Sequence, residues 1–286
     1  MSVRAPQRLR SLLFAPASRP DVLAKLPRAR PDGVVLDLED AVAASAKAVA
    51  REHSREAGAM LAREHPQLAV YVRVNALPTE WFADDVARGV PAGAVGIVVP
   101  KLESAAQVQA AVQALDRAGL RELSILAGIE TVAGVINVAE IAHEPRVAAC
   151  YFGAEDYTAD LGGVRRADSL EVLWPRSRVA AHAAHAGILS LDQVVTDLRD
   201  EDGFRLDAQL GRALGYRGKL CIHPTQVTWA NASFSPSATE IDRARQLVDA
   251  YERAVAGGQA AIAFEGQMID EPLARRARAI IAAAGD

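Results

Sequence analysis

Acidic residues recur where apolar segments of this chain end. The stretch ACYFGAEDY, Ala149 to Tyr157, runs from a strand-like segment straight into Glu155 and Asp156. Glu39 and Asp40 close the run GVVLDLED, and Glu130 closes LSILAGIE. Between them lie Arg73 within VYVRVN, Asn75 just after it, and Lys101 at the end of AVGIVVPK; His223 follows in CIHP. A carboxylate is costly to desolvate unless a cation or hydrogen-bond donors offset the loss. Two or more converging on one place suit a hard, oxygen-seeking ion such as Mg²⁺, which takes one or two protein carboxylates and fills its other positions with water and substrate oxygens. Glu130 and Asp156 are the expected ligands. Glu39 and Asp40 are expected to orient the metal's waters as a second layer.

Each acid taken singly has a structural explanation, because a strand end is also a helix start and favours negative charge. For Glu155 or Asp156 alone that explanation is the stronger one. Arg73 has no capping role, and an arginine in a buried strand needs a carboxylate or phosphate partner. Lys101 suits a fixed positive charge better than a Schiff base. His182 and His185 stand three apart on an expected helix with no acid near them in sequence, which favours a packed or solvated helix face. His223 is open to either a substrate contact or a structural hydrogen bond.

Elements must bring these residues together. Eight short apolar runs are expected strands: 11–16, 33–40, 68–75, 94–101, 123–130, 147–156, 186–193 and 218–224. Continuous rather than alternating apolar runs indicate strands buried on both faces, hence a parallel sheet covered by helices. Between them, 104–119 has helical spacing with Ser104 as N-cap and Gly119 at the stop, and 43–64, 132–143, 169–185 and 204–214 behave similarly. Eight such repeats predict an α/β fold, a (β/α)8 TIM barrel, rather than a doubly wound sheet, because FAPASRP lacks the glycines of a phosphate-binding turn. The barrel is expected over 1–256. A Gly-Gly break then opens an extension over 257–286, ending in an Ala- and Arg-rich helix from about Pro272.

With 286 residues, half of them hydrophobic, the chain can bury one large core. A formal charge of -4 with both signs scattered argues against a nucleic-acid partner. Two cysteines, Cys150 and Cys221, sit in apolar runs without metal-type spacing, as expected of core residues in a reducing cytoplasm. MSVRAPQRLR carries no apolar signal-like region, and no apolar run approaches the ~20 residues that span a bilayer. A soluble, cytoplasmic protein with no membrane partner is expected.

The motifs RSLLFAP, VVLDLEDAV, VYVRVN, VVPKLES, AGIETVAGV, YFGAEDYTADLGG and GKLCIHPTQV, in order over nearly the whole chain, resemble the citrate lyase β-subunit-like proteins of the HpcH/HpaI aldolase superfamily. The resemblance implies a Mg²⁺-dependent TIM barrel that makes or breaks a carbon-carbon bond between a thioester and an α-keto acid. Position by position, Glu130 and Asp156 match the metal ligands, Arg73 the residue holding the keto-acid carboxylate, and Glu39 and Asp40 the acidic pair near the metal. GQMIDEP is similar to the carboxyl-terminal lid of malyl-CoA and citramalyl-CoA lyase-like members, where an Asp reaches a neighbouring subunit's site. Here that Asp is Asp270, with a helix N-terminal charge as the alternative, and a homotrimer is implied. For the coenzyme A phosphates the candidates are Arg10, Arg19 and Lys25, which are otherwise surface charges. Three functions remain open: a lyase of 3-hydroxy-3-carboxyacyl thioesters, an aldolase of free hydroxy-keto acids, and a non-catalytic binding subunit.

Overall fold

Successive side chains of a strand point to opposite faces, so in a closed barrel every second residue points inward and the rest pack against the surrounding helices. A computed structural model describes residues 8–285; residues 1–7 and 286, which the expected barrel and extension include, lie outside the described residues. The strands are β1 (Ser11–Pro16), β2 (Gly33–Asp37), β3 (Ala69–Arg73), β4 (Gly96–Val99), β5 (Ser124–Ile129), β6 (Val147–Phe152), β7 (Leu189–Asp192) and β8 (Gly218–Cys221). They pair in chain order, all parallel, and β1 closes the ring against β8. The fold is a TIM (β/α)8 barrel.

Inside the barrel, Leu12, Val35, Tyr71, Val98, Leu126, Ala149, Tyr151, Leu191 and Leu220 form one buried apolar cluster. These are alternate strand residues. Counting on by twos from this cluster leads to Asp37 and Glu39 from Val35, Arg73 from Tyr71, and Glu130 from Leu126. A one-residue slip in register would turn all four outward. The other face is buried too, which is why the strands read as continuous apolar runs.

The strands stop short of the expected acids: β2 ends at Asp37, β5 at Ile129 and β6 at Phe152, so Glu39, Asp40, Glu130, Glu155 and Asp156 stand on the connecting segments. Ser104 caps the helix Ala105–Arg117, its side chain accepting from the Gln107 N–H, and Gly119 just beyond has φ +77°. The expected helix over 132–143 is two, Val132–Ile136 and Val138–Ala142, broken at Asn137, whose amide donates to the Glu103 carbonyl at 2.8 Å. After β3 the chain makes only a short helix, Phe82–Asp84, and a π-turn, Asp85–Gly89.

The described chain divides into two compact units, the first ending at Asn231 and the second opening at Ala232. The sequence break at Gly257 lies inside the second unit. There the helix Ala238–Ala256 shares an apolar cluster with later residues: Leu247, Val248 and Tyr251 pack with Ile269, Ala274 and Ala277. The apolar tail segment is a hairpin, β9 (Ile262–Phe264) antiparallel to β10 (Gln267–Ile269). Its two loop residues, Glu265 and Gly266, both have positive φ, 48° and 77°, as a tight primed turn requires. The last helix is Glu271–Gly285. No helix among the described residues is long and apolar enough to cross a membrane.

Candidate active site

A cavity of about 300 Å³ opens at the carboxyl ends of the strands, lined among others by Phe14, Asp37, Arg73, Glu130, Tyr151 and Asp156. Arg73 closes β3 and is largely buried. Its Nε and Nη2 donate to Asp37 Oδ1 and Oδ2 at 2.8 and 2.7 Å, a two-point fork, and Nη1 lies 3.0 Å from Glu39 Oε2. Asp37 also accepts the Glu39 backbone N–H at 2.9 Å. Burial works against the guanidinium's charge, but Asp37 and Glu39 outweigh it and hold its pKa above the ordinary value. The ring of Phe14 lies under it, 5.3 Å from Cζ.

Glu130 follows β5 and is 2 % exposed. It is not spent on capping, because Thr131 caps the next helix, its hydroxyl accepting from the Gly134 N–H at 3.0 Å. Tyr151 donates its hydroxyl to Glu130 Oε1, and Oε2 is buried with no hydrogen-bond partner. Desolvation, reinforced by the charge of Glu39, pushes the Glu130 carboxyl up to about 8. At Gly153 a Cβ would lie 2.6 Å from Glu130 Cγ, so glycine is needed where β6 hands over to the next helix. Glu155 and Asp156 occupy the first turn of that helix, Ala154–Leu161, the first exposed and the second half-buried. Glu155 pairs with Arg165 at 3.0 Å.

Lys101 stands between the acids. Its Nζ is 2.9 Å from Glu39 Oε1, 3.5 Å from Asp40 Oδ2 and 3.7 Å from Asp156 Oδ1. Desolvation opposes its charge, yet the hydrogen bond and charge of Glu39, with Asp156 and Glu130, keep the ammonium pKa above its usual value. A Schiff-base lysine needs a depressed pKa, so the environment of Lys101 favours the fixed cation.

Beneath Glu39 lies a buried polar network. Lys47 Nζ donates to the carbonyls of Leu38 and Glu39 at 2.8 and 2.9 Å and to Asn75 Oδ1 at 2.7 Å, which uses all its hydrogens. Asn75 in turn is held by Asp85 through its backbone N–H and its amide, at 2.8 and 2.6 Å, and Arg51 Nε donates to Asp85 Oδ1 at 2.7 Å. The π-turn after β3 thereby reaches the segment that carries Glu39.

The structure thus brings Arg73, Glu39, Asp40, Lys101, Glu130 and Asp156 to one mouth. Arg19 and Lys25 follow β1 at the same end and are exposed, both near Asp21, at 2.9 and 4.0 Å. Arg10, a candidate for a coenzyme A phosphate, is elsewhere: it precedes β1 at the opposite end and grips Asp32 through Nε and Nη2, both at 2.8 Å. His223 bonds Thr225 Oγ1 at 2.8 Å, a local turn contact, and the ring of His185 packs on that of His143 at 5.2 Å. Asp270 belongs to the second unit, half-buried, its carbonyl accepting from the Ala274 N–H at 3.0 Å as the last helix begins.

Sequence reasoning passed over Asp37, Tyr151 and Lys47. The first two were readable from phase: Asp37 is two residues on from inward Val35, and Tyr151 two from inward Ala149. Lys47 gave no local signal, since its partners lie on two other segments.

Among the described residues no group of three or more His, Cys, Asp or Glu is placed to hold a metal. The mouth instead offers two carboxylates, Glu130 with an oxygen lacking any partner and Asp156 at the cavity wall. That donor set fits a hard divalent ion whose other ligands are water and substrate.

Residues 10–224 match the HpcH/HpaI aldolase/citrate lyase family. The chain is 52 % identical over 278 residues to a citrate lyase subunit beta-like protein of Deinococcus radiodurans, covering 96 % of this chain and 97 % of that one. It is 34 % identical over 261 residues to a (3S)-malyl-CoA thioesterase of Cereibacter sphaeroides, covering 91 % and 89 %. Among solved structures it superposes on CitE of Mycobacterium tuberculosis, in complex with magnesium, acetoacetate and coenzyme A, with a TM-score of 0.84 and 34 % identity over 98 % of this chain and 100 % of that one. A family match over most of the chain, full-length relatives and a shared barrel agree, and the chain belongs to the HpcH/HpaI aldolase/citrate lyase family.

Proposed function

We propose that this chain is a Mg²⁺-dependent carbon-carbon lyase that cleaves, or in reverse forms, a 3-hydroxy-3-carboxyacyl thioester such as malyl-CoA, citramalyl-CoA or a citryl thioester. The products are an α-keto acid and an acyl thioester. The observation that carries this reading is the pairing of Glu130, buried with an unpartnered oxygen, with Arg73 in one cavity: a carboxylate suited to a metal beside a cation suited to a substrate carboxylate. The magnesium-bound relative supports the choice of ion, and its bound coenzyme A supports a thioester substrate.

When bound, Mg²⁺ supplies Lewis-acid polarisation of the oxygen that becomes the keto group. Glu130 and Asp156 would hold the ion. The fork to Asp37 fixes the guanidinium plane of Arg73, leaving further N–H groups to hold the substrate carboxylate and fix the bond to be broken. Loss of the hydroxyl proton to a base breaks the carbon-carbon bond and leaves the electron pair as a thioester enolate, which a proton then quenches. Asp270, supplied by a neighbouring copy in a homotrimer, is the proposed proton donor and acceptor. Arg19 and Lys25 would meet the coenzyme A phosphates outside the mouth.

The malyl-CoA thioesterase relative favours a second reading, hydrolysis of the thioester. Product analysis on malyl-CoA and citramalyl-CoA separates the two: a lyase releases keto acid and acyl-CoA in equal amounts with no free thiol. Free coenzyme A without keto acid would replace the lyase with a hydrolase. In the same assay Asp270→Asn, which keeps shape and removes the titrating group, is expected to lower kcat by about 10²-fold or more. Near-normal turnover would remove Asp270 from the mechanism.

A further inference from the structure

The metal-site carboxylates already have a cation of their own. Lys101 lies two residues past the end of β4 in the left-handed region, φ +53°, a conformation that disfavours side-chain-bearing residues and persists only where the surroundings impose it. The imposition is visible: the next residue, Leu102, is fully buried and donates its N–H to the Gly128 carbonyl at 3.0 Å. From this kinked position the ammonium reaches carboxylates on two separate connections, Glu39 and Asp40 after β2 and Asp156 after β6, at 2.9, 3.5 and 3.7 Å. Arg73 is committed to Asp37 and Glu39, and among the described residues Lys101 is the one cation within 4.0 Å of Asp156.

Lys101 Nζ is 3.7 Å from Asp156 Oδ1, so a divalent ion held by that carboxylate would compete with the ammonium for it, and the two cations would repel each other. We propose that Lys101 is a tethered counter-ion of the metal site: it neutralises Asp156, Glu39 and Asp40 while the site is metal-free, and gives up Asp156 as the divalent ion enters. The inference rests on the metal reading above and adds a cost to metal entry that this chain sets itself. Lys101 is in these terms a positioning residue.

The test is calorimetric titration of metal-free protein with magnesium chloride alone. Lys101→Met is expected to bind Mg²⁺ about tenfold or more tighter than wild type, because the competing charge is gone, and to melt at a lower temperature before metal is added. Lys101→Arg keeps the charge and should stay within about threefold of wild type. A purely structural lysine would give the opposite sign, so equal or weaker binding by Lys101→Met overturns the inference. Should that variant fail to fold, wild type suffices: acetylation of Lys101 by an activated ester, read by peptide mass spectrometry, should accelerate on adding Mg²⁺, and unchanged or slower labelling overturns it. Wild type that binds no Mg²⁺ at all sinks the metal reading itself, which is distinct from wild type that binds while Lys101→Met binds no better.

Discussion

Replacing Arg73 by methionine is expected to lower kcat/KM for keto-acid release by about three orders of magnitude or more, with a loss of fold stability alongside. Two effects act together. The variant loses the charge-assisted contact to the substrate carboxylate, which for a desolvated pair costs about 2–5 kcal/mol. It also leaves Asp37, 2 % exposed, without the cation that it grips, while Glu39 keeps Lys101; an uncompensated buried charge costs about 3–5 kcal/mol. Steady-state kinetics and urea unfolding separate the contributions, and Arg73→Lys divides them further: it restores the charge but not the fork, so stability should return further than activity does. Activity within tenfold of wild type in Arg73→Met would mean the substrate carboxylate is held elsewhere.

The second large effect is a trade between function and stability at Glu130. With Oε2 unpartnered and the side chain fully enclosed, the carboxylate form is costly to the metal-free fold. Its carboxyl is pushed from 4.5 to about 8 by desolvation and the charge of Glu39. A folded-state value above the unfolded one means the unfolded chain releases this proton first. The penalty is therefore absent below about 4.5, grows as pH rises, and is complete above about 8. Glu130→Gln removes the charge and keeps an acceptor for the Tyr151 hydroxyl. Without metal the variant should match wild type near pH 5 and melt several degrees higher near pH 8–9. Added Mg²⁺ should raise the wild-type melting temperature and leave Glu130→Gln unmoved, and catalysis should fall by about 10³-fold or more. Thermal unfolding across that pH range with and without Mg²⁺ checks every part; a variant less stable than wild type at high pH would show that Glu130 is satisfied as a carboxylate.

The barrel and most of its mouth were legible because two regularities coincide. Strands buried on both faces leave uninterrupted apolar runs, and functional groups gather where those runs stop. Glu130, Asp156, Arg73 and the Glu39–Asp40 pair were all found by asking what ends a strand. A residue whose role depends on a distant segment leaves no such mark in the sequence. Lys47 looks like an ordinary helix lysine until its ammonium is seen under the carbonyls of Leu38 and Glu39, and Asp85 lies in a π-turn that no periodicity announces. Asn137 splits an expected helix because its amide is drawn to the Glu103 carbonyl, a contact that helical spacing does not encode. Arg10 and Arg19 are close in sequence, yet they flank opposite ends of β1 and so lie at opposite ends of the barrel. Glu265-Gly266 carries a hairpin turn on a glutamate in the left-handed region, where the usual residues are Asn, Asp or Gly.

Keto-acid release is expected to depend on Mg²⁺ held at Glu130 and Asp156. The most direct test of that dependence is a coupled assay for keto acid from malyl-CoA and citramalyl-CoA, with and without Mg²⁺, on wild type and Asp156→Ala. The Asp156 side chain is 45 % exposed, so its removal leaves the core intact and a loss of activity is a loss of chemistry. Wild-type release should stop on chelation and return with Mg²⁺, and release by Asp156→Ala should be lower by about 10³-fold even at saturating metal. Release that ignores chelation, or an Asp156→Ala variant as active as wild type, would contradict that dependence.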